Sequence, residues 1–435
     1  MAIQVDRLAQ FIIKMGFFYG WIIVTITFFA SMITAGIAGW GLSFFIIPMG
    51  EDLGVSRAGF SSITLFRLVA LPIVPILGVL VDRKHGPRVL LTIAGVIGGL
   101  TLFLSSFVQT LWQFYIVFGV GFGLATMTMG GQLIGPAVIS KWFIRMRGRA
   151  MAIGTMGIST GGFIIAPLAG WIVGEYGWRT AWAVLGIVVF LAITPISALF
   201  MRRSPEDLGL LPDGDNSDKD SSSIIDSSKK IWIDTEYPWT LREALRTRAL
   251  WVLLAVQVLG ATALLPIIIH QVAYIQDKGF TPQTATAVAT ALAFFAIVAK
   301  LPWGVFVERV HPRWVISICL VTSGLSLFLL VAAQNIQMLY VYALIHGLTM
   351  GGWATLMNVV WPVYFGRRHM GAIRGAVAPI GNVMGAVSPV LAGWMWDLQG
   401  SYNMIFSIFA IIWILGGLLM PLARTPKIPG VVSEK

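Results

Sequence analysis

The chain carries little charge for its length. Only 11% of its 435 residues are charged, whereas 57% are hydrophobic and the mean hydropathy is +0.83. Because a soluble globular domain carries about 25% charged residues, this composition excludes a soluble enzyme, an extracellular scaffold and a disordered tail. The sequence therefore predicts a protein that lies in a lipid bilayer.

Three further features are scarce or missing. Cys319 is the single cysteine, which excludes an intrachain disulfide. A cleavable signal is not expected, because the apolar run from Tyr19 to Met49 is too long for a signal core and has no small-residue cleavage site. Strand-like alternation is also missing, so the sequence favours membrane helices over a β-barrel.

Apolar stretches of the length that a membrane helix requires, about 20 residues, recur along the chain. They predict twelve spans, at residues 19–47, 57–80, 89–109, 112–138, 148–174, 179–200, 248–275, 282–307, 314–333, 337–362, 371–396 and 402–423. We expect an all-α integral membrane protein of two pseudo-symmetric six-helix bundles.

A polar stretch divides these spans into six and six. Residues 213–223 are rich in Asp and Ser, with too little apolar surface to fold alone. The predicted division of the chain is a cytoplasmic N-terminus, a first bundle, a cytoplasmic central loop, a second bundle and a cytoplasmic C-terminus, at residues 1–18, 19–200, 201–247, 248–423 and 424–435.

The distribution of Lys and Arg predicts the orientation. With the N-terminus inside, the outer loops hold only Arg57, Arg179 and Lys278, and two more cations fall within spans. Since cytoplasmic loops carry the excess of Lys and Arg, we expect both termini in the cytoplasm and the protein in the plasma (inner) membrane. The net charge of +11 then reflects topology, and no nucleic-acid partner is expected.

The two halves repeat one loop motif. A glycine is followed four residues later by an acidic residue and an arginine, with a Pro-Arg pair soon after, and the copies lie 226 residues apart. The residues are Gly78, Asp82, Arg83 and Arg88 in the first copy and Gly304, Glu308, Arg309 and Arg313 in the second. A second repeated segment, at residues 167–171 and 389–394, supports two related bundles that can rock about a central site.

These features resemble the major facilitator superfamily over nearly the whole length. The resemblance implies that the eight motif residues form a gate, in which Asp82 accepts hydrogen bonds from a neighbouring helix N-terminus. One departure is visible, because the segment from Asp82 to Gly86 has one residue more than the family's usual spacing. A basic loop without a gating role is the alternative interpretation.

Three segments narrow the resemblance to the monocarboxylate transporter family and the oxalate/formate antiporter family. They are Tyr19-Gly20-Trp21 before span one, residues 141–150 before span five and residues 177–182 before span six. What this resemblance implies is a carrier of small carboxylates.

Lys300 is the main candidate for binding the substrate. It lies in predicted span eight, four residues before Gly304, where monocarboxylate transporters resemble this chain but carry a carboxylate-binding arginine. Charges within a bilayer are costly and are functional candidates by default. The alternative is that Lys300 extends its ammonium to the headgroups.

Arg67 is the second candidate, about ten residues into span two. A structural arginine bonded to backbone carbonyls is the alternative. None of the 19 acidic residues lies well within a span, so the cations point to an anionic cargo. Either family's substrate apparatus is only half present, since Ala296 stands where monocarboxylate transporters keep an aspartate and residues 375–396 carry no cation.

Other polar residues of the spans are candidates for the substrate site or for interhelical bonds. The substrate candidates are Gln132, Gln271, His346, Trp353, Asn358 and Asn382. The candidates for proton coupling are Lys300, His270 and His346.

The leading hypothesis is a secondary active transporter of small organic anions that works by alternating access with proton coupling. The alternatives are a carboxylate exchanger of the oxalate/formate type, a drug exporter and a membrane sensor that does not transport. Because no nucleophile triad or paired carboxylate is visible in the spans, we expect no enzyme, no catalytic residue, no metal and no cofactor. The expected partners are a small carboxylate, the lipid bilayer and protons, and the expected state is a monomer.

Overall fold

The computed structural model describes residues 16–54, 63–129, 133–214 and 237–426. Within these ranges all regular structure is helical. The helices of the first half are α1 (Gly20–Ala35), α2 (Ile46–Leu53), α3 (Ile63–Phe66), α4 (Val74–Val81), α5 (Gly86–Ser105), α6 (Leu111–Phe114), α7 (Gly123–Met129), α8 (Ile134–Trp142) and α9 (Arg147–Phe200).

Apart from the short α10, the helices of the second half are 17 to 30 residues long. They are α10 (Leu241–Leu245), α11 (Arg248–Asp277), α12 (Pro282–Arg309), α13 (Pro312–Ala332), α14 (Ile336–Phe365), α15 (Met370–Gln399) and α16 (Asn403–Leu419). Side-chain oxygens start several of them: Thr247 accepts from the backbone N–H of Leu250, and Asn335 accepts from that of Met338.

Nine helical stretches of the described residues are long and apolar enough to cross a membrane. The predicted all-α membrane fold is confirmed, while the count of twelve stays a prediction. Predicted span two shows why counting is difficult. Its described part turns from a 3₁₀ segment, Arg67–Ile73, into α4, and Pro72 within that segment interrupts the regular hydrogen bonding.

Predicted spans five and six form one continuous stretch, α9, with a break inside it. Gly177 has φ 81° and ψ 162°, which is far from helical. Because this positive φ favours glycine, Gly177 separates the two predicted spans where the sequence analysis placed their boundary.

The described residues fall into two compact units. The first contains residues up to 214 together with 370–378, the opening turns of α15. The second contains residues 237–369 and 379–426.

Small residues allow close helix packing within each unit. In the first unit a Cβ added to Gly157 would lie 2.1 Å from the carbonyl oxygen of Phe28, so α9 and α1 touch backbone to backbone. In the second unit a Cβ on Gly351 would lie 2.5 Å from the carbonyl oxygen of Ala296, where α14 meets α12. Such approach is the usual means of association between helices in lipid.

Candidate functional site

The first repeated motif places an acidic side chain at the start of α15. The Asp82 carboxylate accepts a hydrogen bond from Lys141 Nζ at 2.7 Å and from the backbone N–H groups of Gly371 at 3.2 Å and Ala372 at 2.9 Å. We call these four residues the Asp82 cluster. All of them belong to the first unit. A carboxylate on a helix N-terminus is favoured because the free N–H groups carry partial positive charge.

Gly78 brings α4 close enough to α15 for this cluster to form. A Cβ at Gly78 would lie 2.4 Å from the carbonyl oxygen of Gly371 and 2.8 Å from Cα of Gly375. Any side chain at position 78 would therefore separate the two backbones.

The extra residue of the motif is accommodated in a turn. The backbone N–H of Gly86 donates to the carbonyl of Arg83 at 2.9 Å, and a Cβ at Gly86 would lie 1.7 Å from the carbonyl oxygen of Leu80. The chain folds back on itself here, and only glycine fits. Arg83 is exposed and Arg88 is half-buried.

The second copy of the motif is built differently. Gly304 is buried, Glu308 is half-buried, and Arg309 is exposed. The Arg313 guanidinium lies 5.3 Å from the Trp314 ring, a cation–π distance. The second copy therefore resembles the first in its basic loop residues, Arg309 and Arg313.

His311 precedes α13 in that second loop. Its Nδ1 accepts a hydrogen bond from the backbone N–H of Arg313 at 3.3 Å. Burial, with the charge of Arg313, lowers the pKa of His311 to about 4. The neutral ring is required for this helix cap, because a protonated Nδ1 cannot accept.

Lys300 lies in the interior of the second unit, with 4% of its surface exposed. Its ammonium donates to the carbonyl of Ala296 at 3.3 Å. No acidic residue occurs between Lys278 and Val307. A buried ammonium in an apolar helix is the arrangement that a carboxylate ligand would stabilise.

The crossing of α12 and α14 shows what lies beside Lys300. A Cβ at Gly347 would approach the carbonyl of Leu292, and one at Gly351 would approach that of Ala296. Both contacts advance by four residues on each helix, and one further step of four would bring Lys300 beside Thr355, which is fully buried. Ala296 of α12 therefore packs directly against the backbone of α14.

Two predicted substrate residues cannot be placed. Gln132 lies outside the described residues. Arg67 begins the 3₁₀ segment Arg67–Ile73, but its side chain lies outside what the structure describes.

His346 and Gln271 lie in a buried polar and aromatic stack. The Tyr342 hydroxyl donates to Gln271 Oε1 at 3.3 Å, and the Tyr342 ring stacks on His346 with centroids 5.1 Å apart. The other face of His346 stacks on Trp413 at 5.3 Å, and its Nδ1 lies 2.7 Å from Ser326 Oγ. His346 is therefore packed against α13 and α16.

His270 joins three helices. Its Nε2 lies 3.1 Å from the carbonyl oxygen of Pro389 on α15, and its Nδ1 lies 3.2 Å from the Tyr402 hydroxyl before α16. Since a carbonyl can only accept, Nε2 carries a proton in this arrangement. The Tyr402 hydroxyl can donate to a neutral ring or accept from a charged one.

Trp353, Asn358 and Asn382 are the remaining substrate candidates. Trp353 packs on Gly260, where a Cβ would lie 2.1 Å from its ring. Asn358 is buried with 4% exposure, and Asn382 is half-buried. The structure does not show these candidates converging on one point.

Gln257 is a half-buried interhelical hydrogen-bonding residue that was not predicted from the sequence. Its Oε1 accepts from Trp361 Nε1 at 3.1 Å, and its Nε2 lies 3.2 Å from where a Cβ of Gly381 would be. An amide inside the apolar run of α11 was the available signal.

The segments that carry the family resemblance join helix ends in the first unit. The Tyr19 hydroxyl donates to the carbonyl of Phe200 at 2.7 Å, and its ring packs on Trp142 at 5.5 Å. At the opposite end the Trp182 ring stacks on Phe45 at 3.9 Å. These aromatic residues tie the ends of α1, α8 and α9 together.

Sequence reasoning also missed a group of polar residues around the Asp82 cluster, which includes Lys141 itself. The others are Arg203, Asp207 and Asp213. Lys141 was visible as a cation at the end of an apolar run. Asp213 gave no signal, because its local composition resembles that of the polar stretch after it.

The helices and one comparison define the class. The described helices are those of a multi-pass membrane protein, and the family model of the Major Facilitator Superfamily matches residues 27–271 and 258–434. The chain belongs to the Major Facilitator Superfamily.

Among curated proteins the chain is similar to monocarboxylate transporters. It is 25% identical to rat monocarboxylate transporter 12 over 428 residues, covering 94% of this chain and 86% of that protein. It is 25% identical to rat monocarboxylate transporter 13 over 411 residues, covering 93% and 89%, and 24% identical to human monocarboxylate transporter 2 over 426 residues, covering 92% and 85%. The predicted resemblance is confirmed, and the chain is a transporter, not an enzyme.

Solved structures share the fold. The human organic anion transporter MFSD10 superposes with a TM-score of 0.69 at 11% identity, covering 92% of this chain and 99% of that one. The Escherichia coli fucose:proton symporter FucP gives a TM-score of 0.68 at 11% identity, covering 94% and 100%. At this identity the likeness supports the fold alone.

Proposed function

We propose that this transporter carries small organic anions of the monocarboxylate type by alternating access, in symport with protons. The observation that carries the proposal is Lys300, a cation buried in an apolar helix of the second unit. The similarity to monocarboxylate transporters over more than nine-tenths of the chain supports the same substrate class.

Lysine at this position has chemical consequences. An ammonium is a compact charge with three donors, whereas the arginine of the related family offers a flat, bidentate fork. Lys300 would hold one carboxylate oxygen tightly and discriminate less by carboxylate geometry. Lysine can also release its proton inside a protein, so Lys300 would serve as the proton carrier as well.

The other two coupling candidates are less suited to moving a proton. His346 is held between two aromatic rings and against Ser326. His270 is bonded on both ring nitrogens. Both geometries favour interhelical bonding.

We further propose that the Asp82 cluster is a gate on the cytoplasmic side. Asp82 holds the first turns of α15, and Gly78 permits that approach. Release of Asp82 from Gly371 and Ala372 would free the start of α15 to move. The excess of Lys and Arg in the loops at this end supports its cytoplasmic placement.

The substrate class is tested with purified protein in liposomes. Labelled acetate, lactate and oxalate are offered outside, with labelled glycerol as a neutral control of similar size. Saturable uptake of an acid, and none of glycerol, is expected. Acids that bind without crossing would favour a membrane sensor, and uptake of organic cations in their place would favour a drug exporter.

The mode of coupling needs a second measurement. An inward proton gradient should accelerate uptake into empty liposomes, and the internal pH should fall with the acid. Preloading with unlabelled acid should accelerate uptake only modestly. Uptake that requires preloaded acid, with no response to the gradient, would favour the oxalate/formate type of exchange.

A further inference from the structure

The chain after α9 remains in the first unit and folds back onto its other loops. Two short 3₁₀ turns, Pro205–Leu208 and Pro212–Gly214, shape residues 202–214, which we call the return segment. These residues fall within the central loop predicted from the sequence, 201–247. Within the first unit, however, they bond to three other parts of the chain.

Asp213 binds the corner between α8 and α9. Its carboxylate accepts from the consecutive backbone N–H groups of Ile144 at 3.0 Å, Arg145 at 2.8 Å and Met146 at 3.3 Å. The side chain is 2% exposed. Its φ of 58° is the only positive value at a described non-glycine residue, a conformation that bulkier side chains resist.

The same corner is fixed from its other side. Arg147 donates to the carbonyls of Ser140 at 3.1 Å and Phe143 at 3.1 Å. Trp142 Nε1 donates to the carbonyl of Arg202 in the return segment at 3.3 Å. Lys141, which donates to Asp82, therefore lies beside a corner that is bonded to both ends of the return segment, at Arg202 and Asp213.

A second connection reaches Asp82 directly. The Arg203 guanidinium binds both oxygens of Asp207, at 3.1 and 2.7 Å, and its remaining nitrogen donates to the Asp82 carbonyl at 3.2 Å. The bidentate pair fixes the plane of the guanidinium. The backbone at Asp82 is thereby fixed in addition to its side chain.

We propose that the return segment positions the Asp82 cluster. Asp213 sets the corner that carries Lys141, Arg203 sets the backbone of Asp82, and together they hold the cluster in the geometry that grips α15. Asp213 and Arg203 are positioning residues, since their described hydrogen bonds and ion pairs go to parts of the chain other than α15. The inference rests on the proposed gating role of Asp82.

The test measures how often the start of α15 is released. Cys319→Ala removes the single cysteine, and Ala376→Cys places a reporter on the half-buried face of α15 within the first unit. Full-length protein in membranes opened by freeze–thaw is exposed to a membrane-impermeant maleimide. Asp213→Ala removes the three backbone hydrogen bonds at the corner between α8 and α9 and is expected to raise the labelling rate about tenfold.

Matched variants separate positioning from general loosening. Asp213→Asn keeps a side-chain oxygen that accepts hydrogen bonds and tolerates the positive φ, so it should label more slowly than Asp213→Ala, while Arg203→Gln should label faster than the parent. Asp52→Asn removes a carboxylate that pairs with Arg179 away from the return segment and should change nothing. A cysteine at Ala263, fully buried in the second unit, should stay unlabelled in every background.

The outcomes distinguish the two proposals. If Asp82→Asn leaves labelling of Ala376→Cys unchanged, the gate proposal is overturned. If Asp82→Asn accelerates labelling but Asp213→Ala and Arg203→Gln do not, the gate stands and the positioning role is overturned. Labelling of the Ala263 reporter in Asp213→Ala would show global loosening and would also overturn it.

Discussion

Replacing Asp82 with asparagine should destabilise the protein through Lys141. The pair is largely buried, with side-chain exposures of 12% for Asp82 and 5% for Lys141. Removing one partner of a buried ion pair lowers the free energy of unfolding by about 3–5 kcal/mol, because the remaining charge is buried without a counter-charge. The amide oxygen of asparagine can still accept from one N–H group of α15, so we expect about 3 kcal/mol, the lower end.

The double variant makes this reasoning quantitative. Asp82→Asn combined with Lys141→Met removes both charges, and we expect it to recover about 2 kcal/mol of the single-variant loss. The free energy of unfolding is measured by SDS titration in mixed micelles, followed by tryptophan fluorescence. Asp52→Asn is the control, since the Asp52–Arg179 pair is exposed by 45% and 46% and is worth at most about 1 kcal/mol.

Two results would refute the account of this pair. Asp82→Asn could destabilise the protein no more than Asp52→Asn, which would mean that the Asp82–Lys141 pair is solvated like a surface pair. Alternatively, the effects of Asp82→Asn and Lys141→Met could add without recovery, which would mean that the two side chains are not energetically coupled.

Three further predictions concern single sites. Gly78→Ala should reduce uptake strongly, because its Cβ would lie 2.4 Å from the Gly371 carbonyl, whereas Gly174→Ala, with nothing within 4 Å, should transport normally; equal uptake by the two would contradict the close approach. The pKa of His311 is about 4 in the folded protein and about 6.5 in the unfolded chain. Between these values the unfolded state binds more protons, so the free energy of unfolding should fall by up to about 3 kcal/mol as the pH drops from 6.5 to 4. His311→Asn, which keeps a helix-capping side chain, should flatten that part of the pH–stability curve, and an unchanged slope would be the contrary result. His346→Phe should retain uptake with its pH dependence, because a phenyl ring can take the same stacked position; loss of proton-driven uptake with normal folding would return His346 to the coupling mechanism.

The parts of the fold that depend on local pattern could be predicted from the sequence. Runs of apolar residues predicted the membrane helices. The boundary between predicted spans five and six was predictable at Gly177, because a glycine followed by a new apolar run is a local signal. The contact of Asp82 with a helix N-terminus could be anticipated from the resemblance of its motif to the superfamily's loop, while the gating role stays a proposal. The structure identifies the donors of that contact as the backbone N–H groups of Gly371 and Ala372.

Features that depend on distant chain segments could not be predicted. The Asp213 carboxylate reaches residues 67–69 positions away, and nothing in its neighbourhood distinguishes it from the polar residues that follow. His346 illustrates the same limit. Helical spacing placed it in a span, but its packing against Trp413 depends on which helices surround α14.

The most direct test of the central claim is uptake by Lys300 variants in liposomes. Lys300→Gln keeps a polar side chain of similar reach without the charge, and Lys300→Arg keeps the charge. Lys278→Gln removes a lysine that donates to the carbonyl of Val331, outside the proposed site, and is the control. The account predicts that Lys300→Gln abolishes saturable uptake of the labelled acid, that Lys300→Arg binds the acid but responds weakly to the proton gradient, and that Lys278→Gln behaves as wild type. Saturable acid uptake by Lys300→Gln at the wild-type rate would contradict it.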